Sequence, residues 1–306
     1  MPFSTLLNGL LRTVVAMAAA AGAAGSAHAE QGKLLLTGGV SSIDGAAGGG
    51  LTPWAVIGSY ATQGQIGTTA HITAVNTQNY NLTTYGVAVG WNERVELSLA
   101  KQDFNAGDNL APLGLTGLHL KQDILGVKVR LTGDAVLDSD TWMPQIALGI
   151  EHKSADAGQL GPTLFGVLGA KKTGTDVYLS ATKLFLAQSF LVNGTLRATK
   201  ANQNGLLGFG GAQGDGVKLQ PEISIAYLLN KKLVVGAEYR AKPDNLNRSV
   251  LGVGALKEDD WFDVFVAWAP SKNLSLTLAY VDLGKIAPAV QPKRQTGTYL
   301  SAQLAF

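Results

Sequence analysis

Gly297-Thr-Tyr-Leu-Ser-Ala-Gln-Leu-Ala-Phe306 closes this 306-residue chain, and its reading decides the fold. The stretch has a period of two. Thr298, Leu300, Ala302, Leu304 and Phe306 fall on one side, and Tyr299, Ser301, Gln303 and Ala305 on the other. That is a β-strand running to the last residue and stopping on an aromatic. In a soluble domain a free terminal strand with an apolar end is a liability, because its unpaired backbone groups invite edge-to-edge aggregation. A closed barrel in a membrane removes the edge: the last strand pairs with the first and the apolar face turns to lipid. The competing reading is an ordinary strand of a soluble protein that happens to end the chain.

The opposite end reads as an export leader over residues 1–29. Arg12 supplies the positive charge and Val14-Val-Ala-Met-Ala-Ala-Ala-Ala21 a short apolar core. Ala27-His28-Ala29 is a small-x-small cleavage site before Glu30. A transmembrane helix is the alternative, but the stretch is broken at Gly22 and Gly25. It also falls short of the roughly 20 apolar residues a spanning helix needs. The expected organisation is a signal peptide, 1–29, followed by one barrel, 30–306.

Composition removes several classes. Cysteine is absent, which excludes disulfide scaffolds and thiol or Cys-metal chemistry. The net charge of +2 drops to +1 when Arg12 leaves with the leader. A nucleic-acid partner would need a basic patch or stripe. Charged residues interrupt every long apolar run, so no further membrane helix is expected. A transmembrane barrel looks the same, since its signal per segment is weak.

Period-two segments recur along the chain. In Leu274-Ser-Leu-Thr-Leu-Ala-Tyr280 the leucines and Tyr280 share a face. In Arg94-Val-Glu-Leu-Ser-Leu-Ala100, Val95, Leu97 and Leu99 oppose Glu96 and Ser98. Leu125-Gly-Val-Lys-Val-Arg-Leu131 sets Lys128 and Arg130 against four aliphatics. Short connections at 92–93, 188–189, 230–232 and 270–273 alternate with long spans near 105–120, 154–175, 201–220, 242–260 and 284–296. Short periplasmic turns with long outer loops are the outer-membrane pattern. Counting back from Phe306 gives strands at 297–306, 273–283, 261–269, 232–241, 221–229, 190–200, 176–187 and 142–153. The count continues with 121–132, 94–104, 82–91, 66–75, 54–61 and 33–40. The fold class is therefore all-β, a single antiparallel transmembrane barrel of about 14 strands. Twelve is the alternative, reached by dropping the weakest members, 33–40 and 66–75. Trp91 and Trp268 near the turns, and Tyr239, Tyr280, Trp261 and Phe262 near the outer ends, suggest two interfacial aromatic girdles.

One stretch breaks the pattern. Residues 37–53 are glycine-dense, with Gly45, Gly48, Gly49 and Gly50, and lead into Trp54-Ala-Val-Ile-Gly-Ser-Tyr60. They read as a flexible surface loop or as a plug segment folded into the barrel mouth, where glycine permits close backbone approach. A phosphate loop is excluded, since no Lys-Ser/Thr follows and no helix opens there. The terminal strand resembles that of bacterial outer-membrane β-barrels, in which a final Phe, here Phe306, is an assembly signal. With the glycine-dense stretch, the chain is also similar to an uncharacterised proteobacterial family of exported proteins, a domain of unknown function. These resemblances imply a Gram-negative outer membrane, contact with its lipid and lipopolysaccharide, and insertion by the barrel-assembly machinery. They imply no chemistry.

Candidate chemistry is sparse. His71, His119 and His152 are far apart and none has a partner at metal-ligand spacing. No Gly-x-Ser-x-Gly elbow occurs, although His71 and His119 would be the first to test for a lipid hydrolase. Asp134, Asp138 and Asp140, and Glu258-Asp259-Asp260, are acidic runs without an EF-hand pattern. They read as solvated charge, with a divalent-ion or lipopolysaccharide contact at 258–260 as the sharper option. No metal, cofactor or catalytic residue is expected. The best lead is the lumen face, where Glu96, Lys128, Arg130, Glu151, Lys153, Arg197, Glu222, Glu238, Arg240 and Asp263 should point inward. Charges survive at membrane depth only where water or a partner receives them. A wet pore with a transverse field satisfies that condition, and so does a plugged, self-paired interior. The expected function is passive or weakly selective passage of small solutes. A structural or lipid-interacting barrel is the alternative, and a lipid hydrolase the third.

Overall fold

The computed structural model describes residues 33–38, 40–135 and 142–306. The leader at 1–29, and Asp138 and Asp140, lie outside the described residues. Twelve strands form the wall: β1 (Ile66–Thr77), β2 (Asn81–Trp91), β3 (Val95–Asn105), β4 (His119–Thr132), β5 (Gln145–Asp156), β6 (Thr173–Phe185), β7 (Phe190–Thr199), β8 (Lys218–Asn230), β9 (Leu233–Arg240), β12 (Trp261–Trp268), β13 (Leu274–Asp282) and β14 (Thr296–Ala305). The short strands β10 (Arg248–Ser249) and β11 (Gly252–Val253) make a separate hairpin between β9 and β12. Each wall strand pairs antiparallel with its neighbours, and β14 returns to β1 to close the barrel. The seam runs from Thr69↔Ala305 to Thr77↔Gly297. Phe306 completes it: its N–H donates to the Thr68 carbonyl (2.9 Å), and the Thr68 N–H donates back (3.1 Å). The terminal strand thus has no open edge, as its sequence required.

Connections are short at the end that carries Phe306, except between β4 and β5, and long at the other, except between β1 and β2. We call these the turn end and the loop end. Side chains alternate strictly on β14. Leu300 is 57% exposed while Tyr299 and Ser301 are buried. On β13 the exposed Leu278 and Tyr280 likewise face away from buried Thr277 and Ala279. Among the described residues no second layer covers these outward aliphatics, so lipid is the solvent that suits them. The fold is an outer-membrane-type β-barrel.

Two expectations need correction. Fourteen strands become twelve, and the pair that drops out is not the weakest pair: 66–75 is a full barrel strand, whereas 33–40 and 54–61 form none. The segment 54–61 is apolar because it is buried inside the barrel, and periodicity alone does not separate a buried run from a strand. Trp261 also leaves the outer girdle. Neighbours on a strand face opposite ways, and Phe262 takes the lipid side. The Trp261 ring is buried, with the Lys242 ammonium 4.0 Å from its centroid and the Arg240 guanidinium 5.7 Å away. Trp91, Trp268, Tyr239 and Tyr280 do face outward.

Candidate functional site

A twelve-stranded barrel is wide enough for water unless something fills it. Here residues 33–61 do. This segment lies within the barrel and is buried nearly throughout from Leu36 to Ala61. It folds on itself: Ser41 bridges Ala47, Gly48 bridges Pro53, and the Ser59 N–H returns to the Gly38 carbonyl at 2.8 Å. The glycines permit this path. A Cβ on Gly49 would sit 1.9 Å from Glu238 Oε1, and Gly45 holds φ +93° with Ala100 Cβ 2.8 Å from where its own would be. Gly50 packs on Tyr299 and Glu238. The glycine-dense stretch is therefore an interior plug, not a surface loop.

The plug has little regular structure, so its backbone groups need partners elsewhere. Inward wall side chains provide them. Glu96 accepts the Ala47 N–H (3.0 Å) and the Gly58 N–H (2.6 Å). Glu238 accepts the Leu51 N–H (2.7 Å) and the Thr52 hydroxyl (2.7 Å). The Lys128 ammonium donates to three plug carbonyls, Ala47 (2.8 Å), Trp54 (3.2 Å) and Val56 (2.8 Å), while pairing with Glu96 at 3.2 Å. Thr195 and Ser180 donate to Pro53 O, and Gln145 to Ala55 O. Arg240 donates to Leu51 O at 3.0 Å.

A second cluster sits toward the loop end, around the plug's Asp44. Arg240 lies 2.9 Å from this carboxylate, Lys153 3.4 Å and Arg197 3.9 Å. Burial would push the Asp44 carboxyl up, but Lys153, Arg240 and Arg197 hold it well below the usual carboxylate range. Behind the cations stand Glu151, Asp176 and Glu222: Lys153 pairs with Asp176 at 3.0 Å, Arg197 with Glu151 at 2.7 Å, and Arg240 with Glu222 at 3.4 Å. Each cation meets more than one carboxylate, as buried charges require. A loop closes over the cluster. Asn204 there, in the left-handed region at φ 60°, donates to Asp44 at 2.6 Å. Glu258 accepts the Gln203 N–H and pairs with Lys242 at 2.9 Å. Burial raises the Glu258 carboxyl and lowers the Lys242 ammonium, the pair's mutual attraction opposing both.

Of the ten lumen residues read from sequence, nine are buried inside the barrel. Arg130 is the tenth. It is partly exposed at the turn end beside Glu93 (3.7 Å) and Asp134 (3.5 Å). There it lines a vestibule of about 850 Å³ shared with Lys33, Glu93, Arg94 and Gln145. Burial draws the Lys33 ammonium down to about 8 against the pull of Glu93 and Glu96. Asp263 lies opposite Glu238 across the β9–β12 pair. Sequence reasoning missed Asp44 and Asp176. Asp176 shares parity with Tyr178 and Ser180 and was legible, but Asp44 sits in a stretch with no period.

The remaining candidates separate. His71 is buried in the lumen, His119 pairs with Asp103 on the outer face, and His152 meets Thr175 at 3.1 Å. The acidic run 258–260 is engaged by the protein itself: Glu258 as above, Asp259 by the Lys285 N–H, and Asp260 by Tyr239 and the Lys242 N–H. Among the described residues no three His, Asp or Glu side chains converge as a metal site would need.

The chain belongs to the family described as Protein of unknown function (DUF3034), whose profile matches residues 37–303. The matched region contains the plug's glycines and all of the wall but the last two residues of β14. Among solved structures, the chain is similar to a NanC porin at 7% identity, covering 78% of this chain and 98% of that one, with TM-score 0.49. It is similar to a KdgM porin in complex with disordered oligogalacturonate, at 10% identity, 78% and 99% coverage and TM-score 0.48. It is also similar to an outer membrane channel from Pseudomonas putida F1 at 10% identity, 81% and 97% coverage and TM-score 0.48. No curated protein matches the sequence.

Proposed function

We propose that this protein is a plugged outer-membrane channel for passive, weakly selective passage of small solutes, with residues 33–61 as its gate. In this reading a cleaved leader exports it to the outer membrane of a Gram-negative bacterium. Phe306 is read by the barrel-assembly machinery, and the apolar belt contacts lipid and lipopolysaccharide. One observation carries the proposal: beside the apolar packing of Leu36, Val40, Ile43, Leu51 and Trp54 in the core, the plug's backbone is held by hydrogen bonds and ion pairs to wall groups that water can equally well satisfy. Glu96, Lys128 and Glu238 alone take up seven plug backbone or hydroxyl groups. Exchange of such contacts for water costs far less than baring an apolar core, because each is worth only about 0.5–3 kcal/mol net. The second reading, a permanently filled structural barrel, draws on the Asp44 cluster, whose cations and carboxylates cross-link plug and wall.

The chain's lack of cysteine provides the test. A Thr52→Cys, Ser224→Cys pair places one thiol on the plug and one on β8, where the two hydroxyls already meet at 2.5 Å. Planar-bilayer conductance of the full chain should be present under reduction, fall on oxidation and return with reductant. Equal conductance in both states would remove the plug as gate. Silence of the reduced, folded barrel at every voltage would remove the channel and leave the structural reading.

A further inference from the structure

Residues 34–61 carry a single charged side chain, Asp44. It stands at the tip of the plug, in a reverse turn closed by two backbone hydrogen bonds. The Gly45 N–H donates to the Ser42 carbonyl and the Ser42 N–H to the Ala46 carbonyl, each at 2.9 Å. Both carboxylate oxygens are served, by donors from five separate elements. Oδ1 accepts from the Asn204 amide of the closing loop (2.6 Å) and the Gln102 amide on β3 (3.3 Å), with the Lys153 ammonium on β5 at 3.4 Å. Oδ2 faces the Arg240 guanidinium on β9 at 2.9 Å and that of Arg197 on β7 at 3.9 Å. All five donor side chains are buried. Cations and amides converging on both oxygens are the makings of a carboxylate-binding site. The connection sets this one apart from an ordinary buried ion pair. Its cations stand on barrel strands, and the carboxylate is brought by a segment with little regular structure. Elsewhere between Leu34 and Ala61 the bonds to the wall are made by uncharged plug groups. The wall's own charges cancel without Asp44: Lys153, Arg197 and Arg240 pair with Glu151, Asp176 and Glu222, three against three. The docked cluster therefore holds one net negative charge, and the plug supplies it.

We propose that Asp44 is a tethered stand-in for a free carboxylate. A small solute with one carboxylate, arriving from the loop end, takes the donors of Asn204, Gln102, Lys153, Arg197 and Arg240 and releases the plug tip. The loop that carries Asn204 lies over the cluster, so it lifts to admit the solute. Solute and Asp44 exclude each other, so the solute binds only the released state and shifts the plug toward it. The charge count sets the class. One negative charge reproduces the docked cluster, whereas a dianion adds a second that no cation there is left to meet, and buried charge without a partner is costly. A neutral amide of the same shape loses the charge-assisted hydrogen bonds. Small monocarboxylates are therefore favoured over dianions and over neutral solutes. The tether sets the concentration. An attached group competes at an effective concentration on the order of millimolar, so the free acid acts at that level or above. As an opener the solute rests on the channel reading with residues 33–61 as gate. Its binding and the release of the plug need no conductance and are tested apart from it.

Asp44→Ala removes the stand-in and leaves every wall donor in place. The probe is sodium acetate, compared with acetamide, sodium sulfate and sodium chloride at equal ionic strength. Calorimetry on the folded full chain should show saturable acetate binding to Asp44→Ala, roughly tenfold or more tighter than to wild type, because the tethered competitor is gone. Acetamide, sulfate and chloride should not match it. In wild type, acetate should speed limited proteolysis of residues 33–61 and raise open probability in planar bilayers, while acetamide changes neither. These wild-type readouts decide the matter if the variant does not assemble. Acetate binding no tighter in Asp44→Ala than in wild type, or equalled by chloride, overturns the site and leaves Asp44 a structural cross-link. So does a wild-type plug that acetate never releases. Steady conductance indifferent to acetate overturns the inference and spares the channel reading. Acetate-driven release of the plug in a barrel that never conducts supports the stand-in and overturns the channel reading instead.

Discussion

Replacing Lys128 by Met tests how the plug is held. Lys128 is 1% exposed, and its ammonium serves the carbonyls of Ala47, Trp54 and Val56 while neutralising Glu96. A hydrogen bond to a charged donor is worth about 1.5–3 kcal/mol, but three that share one ammonium do not add. Removing one member of a buried ion pair costs about 3–5 kcal/mol, because the other charge is left without compensation. That cost applies only while the plug is docked, since release lets water reach Glu96 and the freed carbonyls. At about 1.4 kcal/mol per tenfold, the released fraction should rise by roughly 10² to 4 × 10³. Open probability in planar bilayers measures this, and limited proteolysis of residues 33–61 gives a second readout. Heat-modifiable migration on gels should stay normal, because the β3–β4 ladder is made by backbone. Adding Glu96→Gln should restore part of the closure, since it removes the uncompensated charge and keeps an oxygen acceptor for the plug. A folded Lys128→Met protein with wild-type open probability and an equally protected plug would refute the reasoning.

Other expectations follow from the same geometry. Gly49→Ala places a methyl 1.9 Å from Glu238 Oε1, so it should unseat the plug and raise open probability without changing barrel migration; unchanged gating would contradict the close approach. Leu278→Arg, on the lipid face at 56% exposure, should cost roughly 2–4 kcal/mol in folding into lipid, measured by denaturant titration in vesicles. A near-zero cost would mean that this face does not meet the bilayer core. Deleting Phe306 removes both backbone hydrogen bonds to Thr68 and should lower the yield of heat-modifiable barrel in the outer membrane; a normal yield would count against a role in assembly. Lys33 has its ammonium drawn down to about 8 by burial, so the docked end of the plug binds fewer protons than the free one. Docking there should strengthen as pH rises from about 8 toward the ordinary lysine value and be weakest below 8. The pH midpoint of Lys33 acylation checks this, and a midpoint near 10.5 would refute it.

The wall was readable because its signal is local. Leu274 to Tyr280 and Gly297 to Phe306 alternate residue by residue, and a strand imposes that alternation on any sequence that must be apolar on one side only. Even the inward charges followed from parity, since Glu96 opposes Leu97 and Lys128 opposes Val127. The plug was not readable in the same way. Trp54 to Tyr60 looks like one more strand, yet it is buried on all sides and bonded through Lys128, Gln145 and Thr182 rather than through a ladder.

The sequence by itself therefore determined a closed antiparallel barrel with an apolar outside and a charged inside, because period two is a property of each strand alone. Only the tertiary structure decided the number of strands and what the inside contains. Glu96, Glu238 and Asp44 are separated by up to 194 positions in the chain, and no local pattern says that a glycine-dense segment will bring backbone N–H groups to two of those carboxylates and the third to Lys153, Arg197 and Arg240. Closure of the barrel converts distant strands into one wall, and the plug's unpaired backbone then selects, from that wall, the charges that hold it.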